Sequence, residues 1–250
     1  TFTSTATYII NPKPITNVTV SGDQRKTYDG QGASVDSADL TISGTGTIAG
    51  STLTAKGLVA SDFDWYTFNG NKLNAIPTDV GSYEARLNST GLKNLQTINS
   101  NYSFSTASGT IKYTIDKAKA IATIGGSYER DYNGQPINGT SIYNQITWAG
   151  RDISNSKDFN LNHSITANDY AWYTKSGDQY IKLQGQPVNA GVYYLILNKD
   201  YRTTLDKANP NYDISKVGGA FVYTINQAQA GSVAFNASVQ KIYNGSAVLN

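Results

Sequence analysis

The chain has 250 residues, of which 39% are hydrophobic and only 15% are charged, against a usual charged share of roughly 25%. The absence of cysteine excludes disulfide frameworks, zinc ribbons and thiol catalysis, and a single histidine, His163, excludes a histidine-based metal cluster. The net charge of +2 is too small for a nucleic-acid-binding surface, and no apolar run is long enough for membrane insertion.

Taken in chain order, the predicted elements are short strands. Apolar residues alternate with polar ones in several runs, and a period of two puts one face of a strand against a core. The apolar positions are Val18 and Val20, Leu40 and Ile42, Tyr83, Ala85 and Leu87, Ile111, Tyr113 and Ile115, Ala122 and Ile124, and Phe221, Tyr223 and Ile225. No window of helical length shows a clean apolar stripe, although residues 155–169 could hold a short helix.

The chain repeats itself, with five markers in an unchanged order. The matching segments are Tyr28–Gln31 and Tyr132–Gln135, Trp65–Thr67 and Trp172–Thr174, Gly81–Tyr83 and Gly191–Tyr193, Asn101–Tyr102 and Asn211–Tyr212, and Tyr113–Ala120 and Tyr223–Ala230. We therefore predict a first repeat over residues 12–116 and a second repeat over residues 117–226. Residues 1–11 would be the closing strand of a preceding repeat, and residues 227–250 the opening strand and turn of a following one.

These boundaries, and the absence of methionine, predict that the chain is a piece of a longer polypeptide. About seven short strands in roughly 100 residues favour an all-β fold of tandem immunoglobulin-like β-sandwich repeats. A β-grasp-like unit, which needs one solid helix, is the alternative.

The recurring markers resemble a known family. A Tyr-Asp/Asn-Gly turn, a Gly-x-Tyr strand, Asn-Tyr and a closing Tyr-x-Ile-x-Lys-Ala resemble the MBG-type repeats of Gram-positive surface proteins. The Tyr- and Asn-rich, cysteine-free composition is similar to the cell and mucus-binding adhesins of Lactobacillus. The resemblance implies an extracellular, cell-wall-anchored, non-enzymatic protein that binds host mucin glycans or the epithelial surface and needs no cofactor.

The tryptophans are predicted to be core residues. Trp65 and Trp172 recur at equivalent positions beside the same Tyr-Thr pair, and Trp148 falls on an inward position of its strand. None of them is therefore claimed as a platform for sugars.

Acidic residues offer no catalytic or metal site. The only glutamates, Glu84 and Glu129, lie in different repeats, so the chain lacks the carboxylate pair of a glycosidase. Asp62 and Asp64 are spaced as in some calcium loops, but the glycine and the terminal glutamate of such a loop are missing. We predict that they form an exposed pair without a metal.

The two repeats differ on one face of the strand that follows the Gly-x-Tyr marker. The outward positions there are Val192, Tyr194 and Ile196 in the second repeat, and Ser82, Glu84 and Arg86 in the first. An apolar outward face is either covered by a neighbouring element or is an exposed adhesive patch.

The segment after this strand, predicted to be a loop, supplies the candidate binding site. It contains Lys199, Tyr201 and Arg202, and the second repeat has 11 basic and 9 acidic residues against 8 and 9 in the first. Tyrosine beside arginine and lysine suits sialylated or sulfated glycans, so these three residues and Tyr194 are the predicted ligand-binding set. A solvated loop without a ligand is the alternative.

Two functions therefore stay open. The repeats could bind mucus glycoproteins or epithelial cells without forming covalent bonds, or they could be a stalk or spacer that holds a distal binding domain away from the cell wall. The fragment is expected to be monomeric, with weak head-to-tail association through the unpaired strands at its ends.

Overall fold

The alternation found in the sequence produces strands along most of the chain in the computed structural model, which describes residues 4–231, 234–238, 240 and 242. The strand at the end of the first repeat shows the pattern clearly. Ile111, Tyr113 and Ile115 are buried, while Lys112 between them is exposed. The strand thus puts one face into the core, as its period of two predicts.

The first repeat contains eight strands and one α-helix. The strands are β1 (Lys13–Pro14), β2 (Thr16–Thr27), β3 (Thr41–Thr45), β4 (Phe63–Thr67), β5 (Gly81–Leu87), β6 (Tyr102–Ser103), β7 (Ala107–Ser108) and β8 (Ile111–Asp116). The helix α1 is Ser89–Ile98, and two 3-10 helices are Ser37–Asp39 and Ala60–Asp62.

The second repeat contains nine strands and one α-helix. The strands are β9 (Ala118–Gly125), β10 (Ser127–Asp131), β11 (Thr147–Asp152), β12 (Asp158–Phe159), β13 (Tyr170–Ser176), β14 (Gln179–Lys182), β15 (Gly191–Leu197), β16 (Tyr212–Gly219) and β17 (Phe221–Asn226). The helix α2 is Tyr201–Ala208, and one 3-10 helix is Gly139–Gln145.

The main sheet of the first repeat is mixed. Its strand order is β3-β2-β8-β5-β4, and β2 and β8, the opening and closing strands, run parallel from Gly22 opposite Ile111 to Thr27 opposite Asp116. β5 is antiparallel to both β4 and β8, β7 pairs with the first half of β2, and β1 pairs with β6. The closing strand therefore lies in the centre of the sheet.

The second repeat forms two sheets, because its opening strand is interrupted at Gly126. One has the order β10-β17-β15-β13-β14, in which β10 and β17 are parallel, and the other has the order β12-β11-β9-β16. The order β17-β15-β13 repeats the order β8-β5-β4 of the first repeat. The strands that carry the Gly-x-Tyr and Trp-Tyr-Thr markers are thus neighbours in both repeats.

The contacts between residues divide the chain into two units. Unit 1 consists of Thr1–Thr123, Trp148–Ser164 and Lys199–Gly218, and unit 2 consists of Ile124–Thr147, Ile165–Asn198 and Gly219–Asn250. Unit 1 contains the main sheet of the first repeat, and unit 2 contains the five-stranded sheet of the second. The repeat boundaries taken from the sequence stay a prediction.

A tryptophan lies in the core of each unit. Trp65 in unit 1 is 4% exposed and meets the ring of Tyr113 edge to face, with 5.4 Å between centroids. Trp172 in unit 2 is also 4% exposed and meets Tyr223 edge to face at 5.9 Å. The prediction that both are core residues is confirmed. Trp148, which was also predicted to be a core residue, is half-buried, stacks on the ring of His163 at 4.2 Å and lies 5.9 Å from the ring of Tyr201.

The prediction that Asp62 and Asp64 form an exposed pair is wrong for Asp62, which is fully buried. Its carboxylate accepts hydrogen bonds from the backbone N–H of Val59 at 2.8 Å and from the side chain of Asn94 on α1 at 2.7 Å. A buried carboxylate needs such partners, because burial without them is costly. Asp62 therefore joins the start of β4 to the helix.

The prediction of a short helix within residues 155–169 is wrong. Residues 155–169 contain the two-residue strand β12 and no helix, whereas α1 and α2 follow β5 and β15. Asn88 caps α1 by accepting hydrogen bonds from the N–H groups of Thr90 and Gly91. Leu92 and Leu95 then place the apolar side of the helix on the core.

The all-β prediction is confirmed, since strands dominate both repeats. Two features nevertheless depart from the two antiparallel sheets of an immunoglobulin sandwich. The opening and closing strands pair in parallel, and each repeat carries one helix, which is what the β-grasp-like alternative requires.

The chain ends were predicted to be strands of neighbouring repeats. Residues 4–11 form no strand, and Tyr8, Ile9 and Ile10 are exposed. The described residues after position 226 form no strand either, and much of the predicted opening strand and turn lies outside the described residues. The assignment of both ends to neighbouring repeats stays a prediction, as does head-to-tail association through them.

Candidate interaction surface

The outward face of the five-stranded sheet in unit 2 is aromatic. Tyr173 on β13 lies opposite Tyr194 on β15, and Lys175 on β13 lies opposite Tyr180 on β14. Residues directly opposite each other on neighbouring strands share a face, and so do residues two apart on one strand. These four side chains therefore form one surface, which we call the tyrosine platform.

The rings of the platform are in mutual contact. Tyr180 meets Tyr194 edge to face with 5.1 Å between centroids, and it meets Tyr173 edge to face at 6.3 Å. The Lys175 Nζ atom lies 5.1 Å from the ring centroid of Tyr180 and 5.7 Å from that of Tyr194. A cation within about 6 Å of a ring face is attracted to it. The lysine is thus held among the rings with its charge at the surface.

The face of unit 2 that carries the platform is partly exposed. Tyr180 and Val192 are each 45% exposed, and Lys175 is exposed as well. Of the three outward positions that the sequence singled out, Val192 is exposed, whereas Tyr194 and Ile196 are half-buried. Such a surface can stack flat rings or apolar groups, and it carries a positive charge for an anionic group.

The equivalent face of the first repeat, on β4 and β5, carries ion pairs in place of the aromatic cluster. Arg86 on β5 donates to Glu84 at 2.6 Å, and its guanidinium lies 4.3 Å from the ring centroid of Tyr66 on β4. Lys72, in the segment between β4 and β5, pairs with Asp64 on β4 at 2.6 Å. The one tyrosine of this face is therefore already occupied by an intramolecular cation.

The predicted binding residues are divided between the two units. Tyr194 lies in unit 2 as part of the tyrosine platform, whereas Lys199, Tyr201 and Arg202 belong to unit 1. The segment expected to be a loop is the start of α2, because Tyr201 begins that helix.

The burial of Lys199, Tyr201 and Arg202 determines which of them can contact a ligand. Tyr201 is 2% exposed, and its hydroxyl donates to the backbone carbonyl of Ser164, so its ring has no free face for a sugar. Arg202 donates to the backbone carbonyl of Ile214 at 3.2 Å. Lys199 is exposed. The role of Tyr201 as a stacking residue is therefore corrected, and the roles of Lys199 and Arg202 as ligand-binding residues stay predictions.

Three of the platform residues were missed in the sequence. Tyr173, Lys175 and Tyr180 lie on the two strands of a hairpin whose turn includes Gly177, which has a positive φ of 58°. The signal was the spacing of two residues between Tyr173 and Lys175, and again between Tyr180 and Lys182, on either side of that glycine. This spacing puts each pair on one face of its strand. It was readable only once the segment was recognised as a hairpin, because the pairing across the turn brings the rings together.

The platform is not accompanied by a metal centre in the part of the chain that the structure describes, where no group of three or more His, Cys, Asp or Glu is placed to hold an ion. Within the same residues, neither α1 nor α2 has the length and apolar character needed to span a lipid bilayer.

Comparisons with known proteins agree with the repeat pattern. The MBG domain family model matches residues 15–117 and, a second time, residues 119–227. Among solved structures, the chain is similar to a cell surface adhesin from Lactobacillus reuteri, with 37% identity and a TM-score of 0.31, covering 40% of this chain and 95% of that one. No curated protein matches the chain.

Proposed function

The chain belongs to the MBG domain family, with two tandem copies, and from this premise we propose that it is a non-enzymatic repeat module of an extracellular, cell-wall-anchored adhesin. The second repeat binds the host surface, and the tyrosine platform is its contact. The ligand is a glycan of mucus glycoproteins or of the epithelial surface, held without a covalent bond or a cofactor.

The cluster of Tyr173, Tyr180 and Tyr194, in which Tyr180 is exposed and the other two rings are half-buried, is the observation that supports this proposal. Aromatic side chains that stay partly exposed retain apolar area that a ligand can bury, and their hydroxyl groups remain available for hydrogen bonds. Tyrosine also has few rotatable bonds, so little conformational entropy is lost when it binds. Contacts among the three rings hold them in place before the ligand arrives.

Lys175 gives the platform a preference among glycans. Its ammonium group lies over two rings of the platform, and no ion pair with it occurs among the described residues. A sulfate or a sialic acid carboxylate on a bound sugar would provide the missing negative charge. The platform therefore favours acidic glycans, and raised salt weakens binding because exposed charges are screened.

The first repeat favours the second candidate function, a spacer. On its equivalent face, the guanidinium of Arg86 already lies over the ring of Tyr66. The same face carries the ion pair of Asp64 and Lys72. A face whose charges satisfy one another has little to gain from a ligand. We infer that the first repeat positions the second one and does not itself bind.

Binding of the 250-residue chain to immobilised mucin tests this proposal. The double variant Tyr180→Ala with Tyr194→Ala removes two rings of the platform, and we expect binding to fall at least tenfold because stacking area is lost at both. Tyr66→Ala is the matched control on the first repeat and should leave binding unchanged. Circular dichroism must show that all three chains are folded.

Desialylated and desulfated mucin separates charge from stacking. Binding should weaken on the treated mucin for the unmodified chain and for Tyr66→Ala, and much less for Lys175→Gln. Equal binding by the double variant and the unmodified chain would show that the tyrosine platform is not the binding site. If no chain binds mucin or epithelial cells, the spacer function holds for both repeats.

A further inference from the structure

β14 is an edge strand with one open side. It is the last strand in the order β10-β17-β15-β13-β14, and among the described residues its only partner is β13. All four of its residues are exposed. An uncovered edge presents unpaired backbone N–H and C=O groups, which can pair with a strand of another chain.

The backbone groups that face the open side can be assigned from one hydrogen bond. Leu183, which follows β14, donates its N–H to the carbonyl of Trp172 on β13 at 2.8 Å. Because backbone groups of successive residues point to opposite sides of a strand, Ile181 also faces β13, whereas Tyr180 and Lys182 face outward. The open side thus offers two N–H and two C=O groups, spaced for one further strand.

We propose that β14 pairs with β14 of a second copy of this chain in a symmetric antiparallel dimer. The two-fold axis passes between the two Ile181 residues. Tyr180 of each copy then lies opposite Lys182 of the other, and each such pair exchanges two hydrogen bonds. A self-complementary patch of this kind is what a two-fold interface requires.

The side chains fit this register. Each Lys182 ammonium faces a tyrosine ring of the other copy, as Lys175 already does within one copy. On the opposite face, the two Ile181 side chains, each 49% exposed in the single chain, bury one another. Shifting the register by one step towards the C-terminus would place Lys182 against Lys182, which like-charge repulsion disfavours.

The first repeat lacks this edge. Leu73 donates its N–H to the carbonyl of Trp65, in the same way as Leu183 to Trp172, so Lys72 and Asn71 take the places of Lys182 and Ile181. Only a single bridge, between Tyr66 and Lys72, forms there. Gly70 stands where the second repeat has Tyr180, and Lys72 is paired with Asp64. The first repeat therefore provides a matched control.

The dimer does not depend on the proposed adhesion. Ile181 lies opposite Thr174, on the other face of the sheet from the tyrosine platform. Changes at Ile181 therefore test the dimer without touching the platform, and failure of one proposal leaves the other standing.

A cysteine at the two-fold axis tests the register directly, since the chain has no cysteine of its own. In a pair that is not hydrogen-bonded, the Cα atoms lie about 4.5 Å apart, within the range of a disulfide. Ile181→Cys should form a covalent dimer under mild air oxidation, at least ten times faster than Asn71→Cys. Equal rates for the two variants would overturn the proposal.

Sedimentation of the cysteine-free chain gives an independent test. The weight-average mass should rise from 26.9 kDa towards that of a dimer as concentration increases. Lys182→Pro removes an outward N–H but no bond to β13, so it should abolish the rise, whereas Lys72→Pro should not. If Lys182→Pro fails to fold, Ile181→Lys takes its place, with two like charges at the axis. A parent chain that stays monomeric at millimolar concentration contradicts the dimer.

Discussion

On the first repeat, the solvent-facing side of β4 and β5 is a set of ion pairs, whereas on the second repeat the same side of β13 and β15 is an aromatic surface. Glu84 and Arg86 occupy the positions that Tyr194 and Ile196 occupy in the other copy. On the buried side, Trp65 and Trp172 are equally buried, and each meets a tyrosine edge to face.

This contrast shows which constraints act on a duplicated domain. Close packing fixes the buried side, because a change in volume there costs stability in either copy. The outward side is free to diverge, since surface substitutions usually change stability by less than about 0.5 kcal/mol. Binding can therefore arise on one copy while the other keeps the framework.

The largest expected effect tests the shared buried side. Trp65→Ala and Trp172→Ala should each lower the free energy of unfolding by about 3 to 5 kcal/mol, because each leaves a large cavity in a close-packed core. Urea unfolding followed by circular dichroism measures both. Costs that differ by more than about 2 kcal/mol would mean that the two cores are not equivalent.

A smaller difference in the free energy of unfolding is expected at the aspartate that precedes β4 in the first repeat and β13 in the second. The carboxylate of Asp62 is fully buried and accepts from Val59 and Asn94. Its counterpart Asp169 is half-buried, and among the described residues its carboxylate accepts from Thr166 alone, from the backbone N–H and the hydroxyl of that residue. Asp62→Ala should cost about 1 to 3 kcal/mol, because it leaves buried donors without a partner.

Asp169→Ala is the comparison for that variant and should cost less, since water can replace the lost carboxylate. The same urea experiment measures it. Equal costs would show that burial does not distinguish the two sites.

The ion pairs of the first repeat should be measurable but weak. Arg86→Gln removes the cation over Tyr66 and the partner of Glu84, and we expect a loss of about 0.5 to 1 kcal/mol. High salt should shrink this difference between variant and parent. Ile196→Val, at the equivalent position, should show no salt dependence, and a salt-dependent cost there would undermine the contrast between the two faces.

The smallest effect is a pH dependence that belongs to the second repeat alone. His163 stacks on Trp148 with 4.2 Å between ring centroids, and partial burial lowers the pKa of His163 below its ordinary value. Below about pH 6.5 the unfolded chain therefore binds a proton more readily than the folded chain, so stability falls as the pH falls through that value.

His163→Gln should reduce the change in the free energy of unfolding between pH 7 and pH 5. Urea titrations at several pH values measure the slope. An unchanged slope in the variant would assign the pH dependence to other groups.

Much of the framework could be read from the sequence. The period-two alternation found β8 and β17 with their buried faces, and the recurring Trp-Tyr-Thr marker identified both core tryptophans. These features depend on local patterns, in which residue spacing alone determines which side chains share a face. The family resemblance rested on the same markers.

The helices and the platform were missed for different reasons. α1 and α2 have 10 and 8 residues, which is shorter than the window in which helical periodicity is detected. For α1, the spacing of Leu92 and Leu95 and the capping residue Asn88 did indicate a helix. The platform joins residues of three strands, so it depends on pairing register, which alternation within one strand does not reveal. Tyr201 was wrongly predicted to lie in an exposed loop because it is the first residue of α2 and one of the buried residues of that helix.

The distribution of the tryptophans gives the chain built-in optical reporters. Trp172 is the one indole of unit 2, and Trp65 and Trp148 belong to unit 1. Each of the three has a buried ring N–H with no hydrogen-bond partner among the described residues, so its emission should shift to longer wavelength when water reaches it. Chains that keep Trp172 alone, or Trp65 alone, with phenylalanine at the other two positions to limit the cavity, would show by fluorescence whether the two units unfold in one transition or in two.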